Sequence, residues 1–211
     1  MQKLIDLTQN LDEKTVLFPG DSIFKRTCTN NLADGDDYTQ HDIDFSCHSG
    51  THIDFPAHIV SDGKTSSDYD INDLAGNAVI IEISPDKSKI TPENIINENI
   101  NPGDFVLFKT RNSELIKNHV LDTEFVYLTR EAAELLVERK VALVGIDYLS
   151  VDKIEDSALT THHILLPNNV LILEGINLYN ITGGAYDIFI APIKIPNMDG
   201  LPVRVFAMRK E

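Results

Sequence analysis

Short apolar runs bounded by turn residues dominate the chain, and they set its architecture. The runs NAVIIEI (77–83) and DFVLFKT (104–110) are rich in β-branched and aromatic residues, and the second follows the turn signal NPGD. VALVGIDYL (141–149) and NVLILEG (169–175) read as buried strands, and YDIFIAPIKI and PVRVFAM close the chain as strands. KLIDL opens it as another. DIDFSCH alternates, with Ile43, Phe45 and Cys47 on one face and Asp42, Asp44, Ser46 and His48 on the other. That parity predicts a core position for Cys47. Helices are fewer. Residues 129–140 begin with Thr129, a good N-cap, and end basic, as the helix dipole favours. A short helix is expected near Pro92, and a third over 157–166 with Ser157 as its cap. No repeat, low-complexity block or Pro/Gly/Ser-rich linker divides the chain. Residues 1–211 therefore read as one strand-rich, mixed α/β domain.

Composition adds exclusions. A chain of 211 residues suffices for one sizeable core. Its formal net charge of −15 repels phosphate backbones, so nucleic acid is not an expected partner. The densest acidic cluster, 34–44, also holds Gly35, Tyr38 and Ile43, unlike a disordered acidic tail. The two cysteines, Cys28 and Cys47, make no disulfide framework of the kind small secreted proteins use. No apolar leader opens the sequence, and no run is long enough to span a bilayer. A soluble, cytoplasmic protein without membrane partners is expected.

The candidate chemistry lies in HSGTHIDFPAH, residues 48–58, which holds three of the seven histidines. His48, His52, Asp54 and His58 stand four, two and four residues apart. Even gaps place side chains on one face of an extended ribbon. A helix would join His48 to His52 but lose Asp54, and Gly50 and Pro56 oppose it. Gly50 would instead allow a tight bend. Imidazole and carboxylate together suit zinc, manganese or iron rather than calcium or magnesium. Two histidines and an aspartate leave open positions, which a catalytic metal needs for water. Surface histidines on a polar loop are the plainer alternative, and an apolar-core role fails because the opposite face carries the apolar residues. His41 and His119 have no partner pattern and are expected at the surface.

This stretch resembles the His-x-Gly-Thr-His-x-Asp-x-Pro-x-His motif of the cyclase-like metal-dependent hydrolases, a family that includes bacterial kynurenine formamidase and isatin hydrolase. FPGD (18–21) is similar to the family's N-terminal aromatic-Pro-Gly-Asp loop. HHILLPNNVLILEGINL (162–178) is similar to its second histidine segment, and APIKIPNMDGLPVRVFA (191–207) to its C-terminal signature. The resemblance implies a cyclase-like fold of the swivelling β/β/α type and two adjacent divalent ions, zinc or manganese. By position, His48, His52 and Asp54 would hold one ion, and Asp54 would bridge to a second held by His162 and Glu174. Spacing before the glutamate selects His162 over His163. Val170, Ile172 and Glu174 share a strand face, so Glu174 can reach a site from the strand end. The resemblance makes His58 the proton-transfer residue, Phe18 a substrate contact, and the protein a homo-oligomer, a dimer, acting on a small molecule. The family's formamidases often carry Trp where Phe18 stands, and this chain has no Trp.

The expected reaction is hydrolysis of a small amide of the N-formyl aryl amine kind. A histidine not needed as a ligand, such as His58, can accept a proton from water and deliver it to the departing nitrogen. Two further readings are a ring-opening hydrolase of a cyclic amide or lactone, and a metal-binding module without catalysis.

Overall fold

The computed structural model describes residues 3–210. In chain order the strands are β1 (Ile5–Asp6), β2 (Lys25–Asn30), β3 (Gln40–Asp44), β4 (His52–Asp54), β5 (Ala75–Glu82), β6 (Lys89–Ile90), β7 (Phe105–Lys109), β8 (Tyr127–Leu128), β9 (Leu143–Ile146), β10 (Leu171–Glu174), β11 (Gly184–Pro192) and β12 (Gly200–Arg209). The helices are α1 (Asn112–Lys117), α2 (Arg130–Glu138) and α3 (Thr160–Leu165).

The main sheet runs β1-β12-β11-β5-β7-β9-β10-β4, and β4 also pairs with the first residues of β12. That second pairing closes seven strands into a barrel, with β1 attached along β12. The stretch β5, β7, β9, β10 is parallel, and its strands are apolar on both faces, as a covered parallel sheet requires. One face fills the barrel with Ile53, Leu107, Leu143, Leu173, Ile188 and Val205. The other face, carrying Val106, Val144, Ile146 and Ile172, packs under the helical layer through Ala132, Leu136 and Leu165. The barrel is therefore a packed core rather than a pore.

The long strands, and α2 with Thr129 accepting from the Ala132 amide, fall where the sequence places them. Four details differ. The turn after Thr91 is a single 3-10 turn, Pro92–Asn94. α3 begins at Thr160, and Ser157 does not cap it; the Thr161 and His162 amides donate to the Asp152 carboxylate instead. α1 carries no strong sequence signal. It is held at its start by the buried Asp147 carboxylate, which accepts from the Thr110 and Ser113 amides and hydroxyls. Finally, the alternation at 42–48 does not continue as a strand. β3 pairs only with β2 in an exposed hairpin and ends at Asp44, and Cys47 lies within a turn at 46–49.

One close approach fixes the geometry around β4. Gly50 and Gly175 both have positive φ, 68° and 66°, and their backbones meet. A Cβ at Gly175 would overlap the Gly50 carbonyl oxygen and stand 2.9 Å from its carbon. Gly103 is also left-handed, φ 87°, but nothing lies within 4 Å of its Cβ position. Gly175→Ala is thus expected to lower unfolding free energy by roughly 2–5 kcal/mol, and Gly103→Ala by about 1 kcal/mol. Urea titration of both variants measures this, and equal losses would disprove the steric account.

Candidate metal centre

The barrel wall supplies the base of the site. In β4, Ile53 points into the barrel, so His52 and Asp54 face the helical layer. In β10, Leu173 points inward and Glu174 outward. The antiparallel register sets Glu174 opposite His52 and Ile172 opposite Asp54. Two residues more than 120 positions apart in sequence thereby become cross-strand neighbours on one face. His52 Nε2 lies 3.4 Å from Glu174 Oε2 and 3.6 Å from Asp54 Oδ1.

α3 lays His162 over this pair. Its Nε2 lies 3.5 Å from Asp54 Oδ2 and 3.5 Å from Glu174 Oε1. His163, one residue on, is exposed. His48 arrives from the turn before β4, bent by Gly50, and its Nδ1 lies 2.8 Å from Asp54 Oδ1. His58 arrives from the 3-10 turn Pro56–His58, with its ring 4.2 Å from His48 and 5.7 Å from His162. Even spacing on one extended ribbon thus accounts for His52 and Asp54 only; two turns bring in His48 and His58. His48, His52, Asp54, His58, His162 and Glu174 all line one cleft of about 180 Å³. Phe18, half-buried, lines it with Leu17, Leu149 and Leu159.

The donor set fits a divalent cation. Asp54 is fully buried, and neither of its oxygens receives a well-formed hydrogen bond despite the close His48 nitrogen. A buried carboxylate without a donor demands a cation. The nitrogens turned away from it are all engaged. His52 Nδ1 donates to the Gly50 carbonyl at 3.1 Å, His162 Nδ1 contacts Asp152 at 2.6 Å, and His48 Nε2 contacts Asp199 at 3.0 Å. Such outer contacts orient imidazoles toward a metal.

Electrostatics separates the four histidines. Burial lowers His48, but the Asp54 carboxylate outweighs it and pushes it up to about 12. Burial likewise opposes His162, and Asp152 and Asp54 push it up to about 10. His52 is raised by Asp54 and Glu174 against its burial. Asp54 is held well below the carboxylate range by the surrounding histidines, although burial alone would raise it. Only His58 is lowered, chiefly by burial.

Two site carboxylates, Asp152 and Asp199, carry no local signature. Asp199 lies within the C-terminal segment quoted above, without an assigned role. Cys47 corrects the sequence reading. It is half-buried beside the site rather than in the core, with Sγ 3.7 Å from Asp199 Oδ1. His41 and His119 are exposed, as expected.

Comparison with known proteins places this geometry. A family model described as putative cyclase matches residues 5–153. The kynurenine formamidase of Geobacillus thermodenitrificans is 33% identical over 210 residues, covering 100% of this chain and 99% of that protein. A solved structure described as a potential metal-dependent hydrolase with cyclase activity matches with a TM-score of 0.87 at 31% identity, over 100% of both chains. Isatin hydrolase A from Labrenzia aggregata, bound to benzyl benzoate, matches with a TM-score of 0.86 at 25% identity, covering 99% of this chain and 94% of that one. Fold, site and relatives together define the class: an enzyme, a metal-dependent hydrolase of amide bonds. The chain belongs to the cyclase family. A metal-binding module without catalysis is thereby set aside. No helix among the described residues is long and apolar enough to cross a membrane.

The raised histidines predict a pH signature without metal. Stability from a raised group is complete below its unfolded value of 6.5 and is lost as pH climbs toward the folded values of about 10 and about 12. The melting temperature of chelated protein is expected to fall between about pH 7 and about pH 9, and to fall less in His162→Gln. Equal falls in the two proteins, followed by calorimetry, would remove His162 from this linkage.

Proposed function

We propose that the protein hydrolyses the amide of an N-formyl aryl amine, of the kind its kynurenine formamidase relatives are named for. In this reading His48, His52 and Asp54 hold one ion, and Asp54, His162 and Glu174 hold a second, either zinc or manganese. The supporting observation is that His48, His52, His162 and Glu174 gather around Asp54 with His58 beside them. His58 is also close enough to His48 and Asp54 to share an ion, and its reading as the proton carrier rests on the family resemblance. Bound ions supply Lewis acidity to the attacked carbonyl and make water acidic enough to react near neutral pH.

The remaining chemistry belongs to the chain. His58 accepts a proton from the attacking water. The water oxygen bonds to the formyl carbon, the C–N bond breaks, and His58 returns the proton to the leaving nitrogen. Formic acid and the aryl amine result, and the acid ionises to formate by releasing its proton to water. The amine leaves poorly as an anion, so this proton delivery lowers the second barrier. Phe18, Leu17, Leu149 and Leu159 offer an apolar wall for an aryl ring and keep water off the leaving side. The residues 1–211 act as one domain in this reading.

Ring opening of a cyclic amide is the second reading, favoured by the match to isatin hydrolase A. It uses the same groups, with the amine tethered to the product. We also read the protein as a cytoplasmic homodimer. The two free cysteines support a reducing compartment. The apolar side chains Ile23, Leu32, Tyr38 and Ile43, exposed on and beside the β2–β3 hairpin, support a partner copy.

Activity on formanilide-type substrates is expected to vanish on chelation and return with zinc or manganese. His58→Ala should keep its metal content and lose roughly 10²–10⁴-fold in kcat, the usual worth of a positioned acid–base group. His52→Ala should lose metal and activity together. Metal analysis beside a panel of formanilides and cyclic amides decides. Metal loss in His58→Ala equal to that in His52→Ala would make His58 a ligand, and full turnover there would remove its proton-transfer role.

A further inference from the structure

Asp199, a carboxylate outside the proposed ligand set, lies within hydrogen-bond reach of both a proposed ligand, His48, and the spare histidine, His58. Its backbone is fixed, because its carbonyl accepts from the Phe55 amide at 2.8 Å, just beyond β4. The next residue, Gly200, pairs with Asp54. A Cβ on Gly200 would stand 2.5 Å from His48 Cε1 and 3.0 Å from both ring nitrogens. The strand is bare at this point, and the His48 ring lies directly against it. The Asp199 side chain then meets three donors. Oδ2 lies 3.0 Å from His48 Nε2 and 3.4 Å from His58 Nδ1, and Oδ1 lies 3.7 Å from Cys47 Sγ.

An ionised carboxylate only accepts hydrogen bonds, so each ring nitrogen facing it carries the hydrogen. In the neutral, ion-loaded His48 ring that makes Nδ1, on the Asp54 side, the nitrogen left free to bind a metal. On His58 it leaves Nε2 as the free basic nitrogen. The two rings, 4.2 Å apart and tilted by 38°, converge on the same oxygen. In a neutral imidazole the partner of one nitrogen decides which nitrogen is basic.

We propose that Asp199 is a positioning residue that fixes two tautomers at once: the metal-facing nitrogen of His48 and the proton-accepting nitrogen of His58. The inference rests on the reading of His58 as the proton carrier, and it deepens that reading. It also separates Asp199 from Asp152, whose one histidine partner is His162.

Nitrogen-15 NMR of the histidine rings in zinc-loaded protein reads tautomers directly and does not depend on turnover. In the wild type His48 is expected as Nε2–H and His58 as Nδ1–H. In Asp199→Ala the His58 signal should move toward the Nε2–H form. The same variant should bind zinc more weakly, and lose kcat, each by about 10–100-fold, the usual cost of losing such an outer contact. Asp199→Glu, with the carboxylate kept, should recover part of both losses. Chelator competition gives the zinc affinity, and the melting temperature checks that the fold is intact. Unchanged ring tautomers in Asp199→Ala would overturn the proposal, as would complete loss of zinc, which would make Asp199 a ligand. His58→Ala tests the underlying reading separately: if that variant turns over normally while Asp199→Ala still shifts the His58 tautomer, proton transfer by His58 fails and the tautomer role of Asp199 stands.

Discussion

The site depends on one carboxylate that the protein itself leaves short of donors. Asp54 is fully buried and ringed by three imidazoles. Leaving such a charge uncompensated costs on the order of 3–5 kcal/mol. Without metal, protons on the neighbouring histidines supply the compensation, and this is why His48 and His162 hold theirs so tightly. A divalent cation satisfies the same demand by displacing those protons. Folding and metal binding therefore draw on the same electrostatic term, and metal binding releases protons.

The placement of that carboxylate follows from barrel closure. β4 is only three residues long, yet it pairs with β10 on one side and β12 on the other. Its backbone is held from both edges, so the side chains it projects have little freedom. Period-two alternation sends Ile53 into the apolar barrel and His52 and Asp54 out of it. The barrel interior is filled by apolar side chains, aliphatic and aromatic. The seam between wall and helical layer is where His52, Asp54 and Glu174 of the wall meet His162 of α3.

Much of this was legible. The apolar runs gave the parallel strands, because a strand buried on both faces reads as a continuous run. The side chains singled out in 48–58 do converge, with His48 brought in by the bend expected at Gly50; the turn at Pro56 that delivers His58 is what parity did not foresee. The alternation before His48 misled for the same reason: parity holds only while the strand continues, and β3 stops at Asp44. Asp152 and Asp199 could not be read. Aspartates are common in this chain, and what distinguishes these two is a tertiary partner 10 and 151 residues away. The unforeseen helix α1 is similar, since its cap comes from Asp147 on another segment.

The supports of the three histidines around Asp54 form a gradient. His52 leans on a buried backbone carbonyl, His162 on the buried Asp152, and His48 on Asp199, whose side chain is 42% exposed. The rings follow the same order, with His52 and His162 4% exposed and His48 18%. His58, at 26%, shares the exposed support. The base of the site is thus held by groups that cannot exchange with water. The two histidines nearest the cleft share a carboxylate that water reaches. In the proposed reading a substrate enters and a proton leaves on that side, so the rigid supports would serve ion placement and the solvated one turnover.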